Sequence, residues 1–288
     1  MHAAPFEYRR AESVTEAIEL LEASEDGRVL AGGQGLIPLL KKRKTDPGTV
    51  VDIGGIDELR GVERTDAGVR IGALATHREI TASGLIGEVV PVLPAAVSKI
   101  TGGIQVHNVA TIGGNIARAH PAYDYAGALL ASEARIEIVG PDGTETVPAP
   151  DFFRGACSTC LDDTQLVAHV EIDAVDGDRC GGYAKRKEPA SGGAVLGVAT
   201  DIVFERGRVA SARIAANGLC ESTVRLTAAE EPLVGSELTD GAIAAAADAA
   251  GTTLNESEVL DNKKASAVYR RSLLGPYVRR SVEKAISE

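Results

Sequence analysis

Two glycine-rich segments, Ala31-Gly32-Gly33-Gln34-Gly35 and Thr111-Ile112-Gly113-Gly114-Asn115, stand out in the first half of this 288-residue chain. Each follows a short apolar stretch, as expected where a buried strand runs into a turn. Glycine has no Cβ, so such a turn can aim consecutive backbone N–H groups at one point. Concave runs of amides bind phosphate oxygens. A single Gly-Gly pair mostly just turns the chain, but two such segments in one domain predict a dinucleotide whose pyrophosphate is held from both sides.

Neither segment carries a standard nucleotide signature. The Rossmann fingerprint needs Gly-x-Gly-x-x-Gly with an acidic residue roughly 20 positions on, and a P-loop needs Gly-Lys-Ser/Thr. Residues 32–35 lack the first spacing, and the second tripeptide does not occur in the chain. The sequence therefore predicts a nucleotide that is held in neither of these two ways.

The composition indicates an intracellular protein. No apolar run approaches the ~20 residues that a membrane helix needs, and the first ten residues lack the apolar core of a signal peptide. We therefore expect a cytoplasmic protein without membrane insertion. The net charge is −11, which argues against nucleic acid and anionic membranes as partners, because both favour clustered Lys and Arg.

Four cysteines are too few for a disulfide framework in a chain of this length. Cys157 and Cys160 have the spacing of a metal or redox motif, and Cys180 lies twenty residues further on. No second Cys-x-x-Cys and no His pair completes a tetrahedral site. Incidental cysteines are therefore favoured and no metal is predicted, although a metal or redox role stays open.

The hydrophobic periodicity predicts strands and helices that alternate irregularly, with hairpins in both halves. This favours α+β domains over one doubly wound parallel sheet. Ser13 and Glu16 fit a capping box at the start of the first helix. The polar, glycine-rich residues 173–182 are interpreted as a domain boundary, and Gly275-Pro276 is expected to kink or split the C-terminal helix.

Further motifs accompany the glycine segments. Phe6-Glu7-Tyr8 opens the chain, Pro121-Ala122-Tyr123-Asp124 follows the second segment, and Tyr183-Ala184-Lys185 and Tyr269-Arg270-Arg271 lie in the second half. With these motifs, nearly the whole chain resembles the flavin-binding medium subunit of the molybdenum hydroxylases. That family includes aerobic carbon monoxide dehydrogenase and the separate flavin subunit of bacterial xanthine dehydrogenases.

The resemblance implies an FAD-binding domain of the vanillyl-alcohol-oxidase type over residues 1–174. This domain would consist of two α+β subdomains, split near residue 55. A small α+β C-terminal domain, like that of the carbon monoxide dehydrogenase flavoprotein, would occupy residues 175–288.

The resemblance also implies which residues bind FAD. The first segment would hold the pyrophosphate, the second would approach the phosphates and the ribityl chain, and Asp124 would lie near the flavin. The implied ligands are Ala31, Gly32, Gly33, Gln34, Gly35, Thr76, Thr111, Ile112, Gly113, Gly114, Asn115, Asp124 and Lys185. The family has an Asp near Ser191-Gly192-Gly193 that this chain lacks, so the contact of that Asp is not carried over, while FAD binding itself is still implied.

Three of the implied ligands also have purely structural interpretations. Asp124 could merely cap the helix that follows it, Thr76 could be a helix N-cap, and Lys185 could be a solvated lysine on a strand. No catalytic residue is predicted, and three histidines near the segments are favoured as structural: His77, His107 and His120.

The implied function is electron transfer from the iron–sulfur clusters of a partner subunit through FAD to an external acceptor such as quinone, NAD or oxygen. An iron–sulfur small subunit and a molybdopterin large subunit would complete a heterotrimer, often doubled. The substrate would be transformed on the large subunit, so this chain does not identify it. Two alternatives are a stand-alone FAD-dependent oxidoreductase and a scaffold that assembles its partners without binding FAD.

Overall fold

The computed structural model describes residues 2–252 and 254–287. Their strands are β1 (Glu7–Arg10), β2 (Arg28–Leu30), β3 (Thr49–Asp52), β4 (Val62–Arg64), β5 (Gly68–Gly72), β6 (Arg135–Gly140), β7 (Gly143–Pro148), β8 (Phe153–Gly155), β9 (Ser158–Thr159), β10 (Leu166–Asp173), β11 (Asp178–Lys187), β12 (Ala194–Glu205), β13 (Arg208–Asn217) and β14 (Val224–Arg225). Their α-helices are α1 (Val14–Glu22), α2 (Leu36–Lys41), α3 (His77–Ala82), α4 (Gly84–Val89), α5 (Val92–Val97), α6 (Gly103–His107), α7 (Ile112–Arg118), α8 (Tyr125–Ala131), α9 (Ala149–Phe152), α10 (Thr227–Glu230), α11 (Asp240–Ala249) and α12 (Ala267–Ser287). Two 3₁₀ turns cover Asp57–Leu59 and Glu256–Glu258.

The first sheet is parallel, in the order β1-β3-β2. Parallel strands need crossover connections, and α1 and α2 provide them. Ser13 caps α1, since its Oγ accepts from the Glu16 N–H at 3.1 Å. The predicted N-cap is therefore confirmed. The reciprocal bond of a capping box would run from the Ser13 N–H, but the Glu16 carboxylate accepts from the Glu12 N–H instead.

The second sheet is antiparallel, in the order β4-β5-β10-β6-β7. Its inward face packs on a helical layer that includes α5, α7 and α8, through residues such as Ile71, Ile136 and Val170. The outward face carries Arg70, which pairs with Glu137 at 2.9 Å. A parallel sheet and a separate antiparallel sheet in one half of the chain confirm the predicted α+β class.

The third sheet, β11-β12-β13-β14, is buried on both faces. Two adjacent glycines of β11 allow this, because successive strand residues point to opposite faces. A Cβ at Gly181 would lie 2.0 Å from the Val92 amide nitrogen on α5, and one at Gly182 would lie 2.1 Å from the Ser281 carbonyl oxygen on α12. Within the predicted boundary region, residues 173–182, β11 already begins at Asp178, and the position of the domain boundary stays a prediction.

The C-terminal helix α12 runs without a break through Pro276. The expected split at Gly275-Pro276 is therefore wrong. The adjacent glycine has a packing role instead: a Cβ at Gly275 would lie 2.8 Å from the Ala247 carbonyl oxygen of α11. Close packing of α12 on α11 and on the third sheet stabilises the helix despite the missing amide proton.

Arg179 joins the two halves of the chain. It lies on β11 and pairs with Asp201 at 2.9 Å, with both side chains at most 4% exposed. Its guanidinium also donates to the Val89 carbonyl at 2.9 Å and to the Ser132 carbonyl at 3.4 Å. One buried side chain of the third sheet thus holds the ends of α4 and α8.

Candidate cofactor site

The first glycine segment is an open turn between β2 and α2. Gly33 has φ +70°, a left-handed conformation that glycine adopts without steric cost. Within the described part of the chain, the backbone N–H groups of residues 32–35 donate to no protein acceptor. Unpaired backbone amides grouped in one turn form an anion-binding concavity. This segment therefore has the chemistry that a phosphate group requires.

The sequence suggested a loop for the second glycine segment. The segment instead forms the N-cap and first turn of α7. Thr111 is the N-cap, and its Oγ1 accepts from the Gly114 N–H at 3.2 Å. The N–H groups of Ile112, Gly113 and Asn115 donate to backbone carbonyls at 2.8–3.1 Å. The Ile112 and Gly113 amides bind carbonyls of residues 75 and 73, and the Asn115 amide binds the Thr111 carbonyl, so these amides are already paired. The segment can still contribute to a site, because Gly114 has no side chain and a ligand can therefore approach its backbone closely.

The two segments lie against each other. A Cβ at Gly32 would sit 1.9 Å from the carbonyl oxygen of Val109, two residues before Thr111. A Cβ at Gly114 would sit 3.8 Å from the Ala31 Cβ. The absence of a side chain at Gly32 is therefore what allows the two segments to form one continuous wall.

This wall encloses a cleft of about 920 Å³. Eleven of the thirteen predicted ligands line it: Ala31, Gly32, Gly33, Gln34, Gly35, Thr111, Gly113, Gly114, Asn115, Asp124 and Lys185. The structure does not place the other two, Thr76 and Ile112, in the lining. Ile112 is fully buried in the core.

Thr76 lies outside the cleft lining and stabilises the elements that form it. Its Oγ1 accepts from the Glu79 N–H and its own N–H donates to the Glu79 carboxylate, which makes a complete capping box for α3. The predicted N-cap role is confirmed. Thr76 also forms an antiparallel bridge with Thr111, so it positions the N-cap of α7. A direct contact between Thr76 and FAD stays a prediction.

Asp124 and Lys185 form a buried ion pair in the wall of the cleft. Lys185 Nζ lies 2.6 Å from Asp124 Oδ2, and the two side chains are 5% and 4% exposed. The Tyr183 hydroxyl donates to Asp124 Oδ1 at 2.6 Å. Burial raises the pKa of the Asp124 carboxyl, although Lys185 and Tyr183 oppose the shift. The interpretation of Lys185 as a solvated lysine is therefore wrong.

Asp124 does not cap α8 with its side chain. It occupies the N-cap position, but no hydrogen bond runs from its carboxylate to the first turn. The interpretation of Asp124 as a mere helix cap is therefore wrong. Its carboxylate instead connects the N-terminal half to β11 of the C-terminal half.

Sequence reasoning missed the turn that β11 and β12 present to the cleft. Ser191, Gly192 and Gly193 line it. A Cβ at Gly192, where φ is +71°, would lie 2.0 Å from Thr101 Oγ1. The two positions are 91 residues apart, so only the tertiary fold brings them together. The Gly192-Gly193 pair is the sequence feature that could have indicated this turn.

The histidines do not form one cluster. His77 is buried, its Nδ1 lies 2.9 Å from the Tyr125 hydroxyl, and its ring centroid lies 5.7 Å from that of His107. Burial, with a smaller effect from His107, lowers the pKa of His77 to about 4. His120 lies elsewhere and stacks on Tyr123.

The described residues carry neither a metal-binding cluster nor a membrane-spanning helix. Within 2–252 and 254–287, no group of three or more His, Cys, Asp or Glu side chains is arranged to hold a metal ion. All four cysteines are free, and Cys157 is exposed at the cleft. Over the same ranges, no helix is both long and apolar enough to cross a membrane.

Comparisons with known proteins identify the family. Residues 4–173 match the sequence model described as the FAD binding domain in molybdopterin dehydrogenase, and residues 182–285 match the CO dehydrogenase flavoprotein C-terminal domain. The chain belongs to this flavoprotein family. It is an FAD-binding medium subunit of the molybdenum hydroxylase type and a component of an oxidoreductase. The predicted family, cofactor and enzyme class are confirmed.

Relatives of this flavoprotein family match over almost their full length. The carbon monoxide dehydrogenase medium chain of Hydrogenophaga pseudoflava is 33% identical, over 97% of this chain and 96% of that protein. The glyceraldehyde dehydrogenase medium chain of Sulfolobus acidocaldarius is 33% identical, over 95% of this chain and 96% of that protein. The xanthine dehydrogenase FAD-binding subunit of Escherichia coli O157:H7 is 26% identical, over 97% and 96%.

Solved structures of the family share the fold. Carbon monoxide dehydrogenase from Hydrogenophaga pseudoflava superimposes with a TM-score of 0.92 at 33% identity, covering 100% of this chain and 99% of that chain. Quinoline 2-oxidoreductase from Pseudomonas putida 86 superimposes with a TM-score of 0.91 at 27% identity, covering 99% and 98%. The predicted pairing of an FAD-binding part with a C-terminal flavoprotein domain is confirmed.

The residues present fit FAD. The cleft volume lies within the roughly 300–1,000 Å³ of ligand sites, at the large end that a dinucleotide needs. Residues 32–35 offer unpaired amides for a phosphate. Lys44 and Arg118 add positive charge to the lining. Gly32 allows the two segments to join, and Gly114 adds no side chain to the lining.

Proposed function

We propose that this chain is the electron-transfer subunit of a molybdenum-containing hydroxylase or dehydrogenase, which passes electrons from the iron–sulfur clusters of a partner subunit to an external acceptor. The observation that carries the proposal is the contact of Gly32 with Val109. It unites two glycine segments, about eighty residues apart, into one FAD site.

Within this proposal, the residues divide the work of holding FAD. The amides of residues 32–35 bind the pyrophosphate, and the first turn of α7 lies along the ribityl chain and phosphates. The Asp124–Lys185 pair forms the wall beside the flavin. Thr76 and Ile112 support the site from behind. FAD accepts electrons singly or in pairs, so it can link one-electron clusters to a two-electron acceptor.

Substrate oxidation is assigned to partner subunits. The chain has four cysteines, too few for two iron–sulfur clusters with four thiolates each. The relatives include medium chains of carbon monoxide and glyceraldehyde dehydrogenases. We infer a cytoplasmic heterotrimer with an iron–sulfur small subunit and a molybdopterin large subunit, which can be doubled. Nucleic acid is not a partner, given the net charge of −11.

The domain boundaries are likewise proposed. The FAD-binding domain would end at residue 174, with subdomains that divide near residue 55, between β3 and β4. The C-terminal flavoprotein domain would follow from residue 175. The matched family regions, 4–173 and 182–285, are compatible with this division.

Anaerobic rapid mixing tests the proposal. The FAD-loaded chain is mixed with its iron–sulfur partner subunit, reduced beforehand and freed of excess reductant, and the visible flavin absorption is followed. We expect rapid bleaching with the reduced partner and none with the same partner stripped of its clusters. Bound flavin that the reduced partner does not bleach would contradict the relay. Turnover of a small-molecule donor by the isolated chain would support a stand-alone oxidoreductase instead.

A further inference from the structure

One aromatic side chain lines the cleft outside the two glycine segments. Among the described residues that line the cleft, Tyr123 carries the only phenyl-type ring. It is half-buried, and most of the lining around it is small or aliphatic. A flat aromatic surface in such a position suits a flat aromatic ligand, because aromatic rings prefer stacked or edge-to-face contacts with each other.

Tyr123 is held rigidly by the turn that precedes it. Its N–H donates to the His120 carbonyl at 2.8 Å, and the Ala122 N–H donates to His120 Nδ1 at 3.1 Å. The imidazole of His120 stacks on the phenol ring with centroids 5.0 Å apart and planes 29° apart. His120 therefore covers one face of the Tyr123 ring, and the half-buried phenol also lines the cleft.

The β11–β12 turn packs on the segment that carries Tyr123. The Ala194 N–H donates to the Ala122 carbonyl at 3.0 Å, which draws the β11–β12 turn against the Tyr123 segment. Gly193 lies at that contact, and a Cβ there would come within 3.2 Å of the Ala122 Cβ. The glycine at position 193 thus allows the C-terminal half to lie close to Ala122, the residue before Tyr123.

The phenol is neutral at physiological pH. Burial raises the pKa of Tyr123, and Cys157 adds to this, while Arg118 opposes it. A neutral phenol is also a good electron donor to an excited flavin, which gives the contact an optical signature.

We propose that Tyr123, backed by His120, packs its other face against the isoalloxazine ring of FAD and positions that ring beside the Asp124–Lys185 pair. This inference rests on the proposed function in one respect, that the cleft holds FAD. It adds an aromatic contact at a position that neither the motif resemblance nor the glycine segments assign.

Two substitutions separate stacking from electron donation. Tyr123→Phe keeps a ring but removes the phenol that quenches flavin emission. Tyr123→Leu removes the ring. The matched control is Tyr269→Phe, because Tyr269 is 39% exposed on α12 and does not line the cleft. For each variant we would measure FAD affinity and the emission of the bound flavin.

Tyr123→Phe should bind FAD nearly as tightly as the unmodified chain, with bound-flavin emission raised severalfold. Tyr123→Leu should show the same rise in emission and about tenfold weaker binding, the scale of one aromatic stacking contact. Tyr269→Phe should change neither quantity. Far-ultraviolet circular dichroism would verify that each variant is folded.

Several outcomes would overturn the inference. Unchanged emission in both Tyr123 variants would show that the Tyr123 phenol does not contact the flavin. Weaker FAD binding by Tyr123→Leu without any change in emission would assign the ring to adenine instead. Failure of the unmodified chain to bind FAD is a different result, which overturns the proposed function itself.

Discussion

Gly32 lies so close to Val109 that a Cβ on residue 32 would sit 1.9 Å from the Val109 carbonyl oxygen and 2.9 Å from the Ala110 Cα. The nearest atoms are backbone, which cannot rotate away. The join between the two glycine segments therefore depends on the absence of a single methyl group.

Gly32→Ala should weaken FAD binding by at least about tenfold, a loss of about 1.4 kcal/mol, and should lower the free energy of unfolding by about 1–3 kcal/mol through overpacking. The control is Gly87→Ala on α4, because Gly87 does not line the cleft and the added Cβ would meet nothing within 4 Å. Equilibrium titration with FAD and urea unfolding of both variants measure these effects. Equal FAD affinity in the two variants would contradict the close packing.

Lys185→Met should remove 3–5 kcal/mol of folding stability at neutral pH, roughly the penalty for leaving one charge of a buried pair unpaired. The substitution leaves the Asp124 carboxylate, whose side chain is only 4% exposed, without its ion-pair partner. The matched control is Lys187→Met, since Lys187 lies on the same strand and is exposed. Adding Asp124→Asn to Lys185→Met should restore part of the loss. Urea unfolding measures each step, and a loss equal to that of the control would refute the pairing.

The Lys185→Met defect should also depend on pH. Burial raises the pKa of Asp124 in the folded protein, so ionised Asp124 opposes folding, and the opposition grows as pH rises through the folded pKa. Removal of Lys185 raises this pKa further, because Lys185 stabilises the carboxylate. The difference from the unmodified chain should therefore be largest near pH 8 and shrink toward pH 4. A difference that is constant over this range would count against the assignment.

The lowered pKa of His77 predicts that stability falls as the pH falls. This pH dependence is opposite in sign to that of Asp124. The pKa of His77 falls from 6.5 to about 4 on folding, chiefly through burial. The unfolded chain therefore binds the proton more readily, and stability is lost as pH falls from 6.5 toward 4, by as much as about 3 kcal/mol. His77→Gln should flatten the curve in this window, whereas His2→Gln, at an exposed position, should not. Denaturant unfolding at a series of pH values tests this, and parallel curves for both variants would disprove it.

Arg179 should be far more important to stability than an exposed arginine. Arg179→Met leaves the fully buried Asp201 without its partner, so we expect a loss of about 3–5 kcal/mol. Arg208→Met breaks an ion pair whose side chains are 60% and 62% exposed, so its effect should stay within about 1 kcal/mol. Thermal unfolding compares the two variants. Equal shifts would mean that Arg179 does not join the two halves of the chain.

The sequence predicted the local structure of one glycine segment and not of the other. The turn predicted for residues 31–35 is present, and Gly33 has a left-handed φ of +70° in it. The second segment was predicted as another amide-presenting turn, because it carries the same Gly-Gly pair. The side-chain cap from Thr111, together with packing of Gly113 on Ala73, places it in α7 instead. Local capping and tertiary packing outweighed propensity here.

Features that depend on distant contacts were not predictable. The role of Gly181-Gly182 requires knowledge that α5 and α12 cover opposite faces of β11. The pairing of Lys185 with Asp124 spans sixty-one residues, and no local pattern distinguishes a buried strand lysine from a solvated one. Pro276 suggested a break in α12 because local rules omit the surrounding core that keeps the helix intact.

The most direct test of the central claim is the stoichiometry of FAD binding to the purified full-length chain, measured by calorimetric titration. The cleft predicts one FAD per chain with saturable binding, and much weaker binding of FMN, which lacks the adenylate half and its share of the pyrophosphate contacts. Absence of saturable FAD binding, or equal affinity for FMN, would contradict the account.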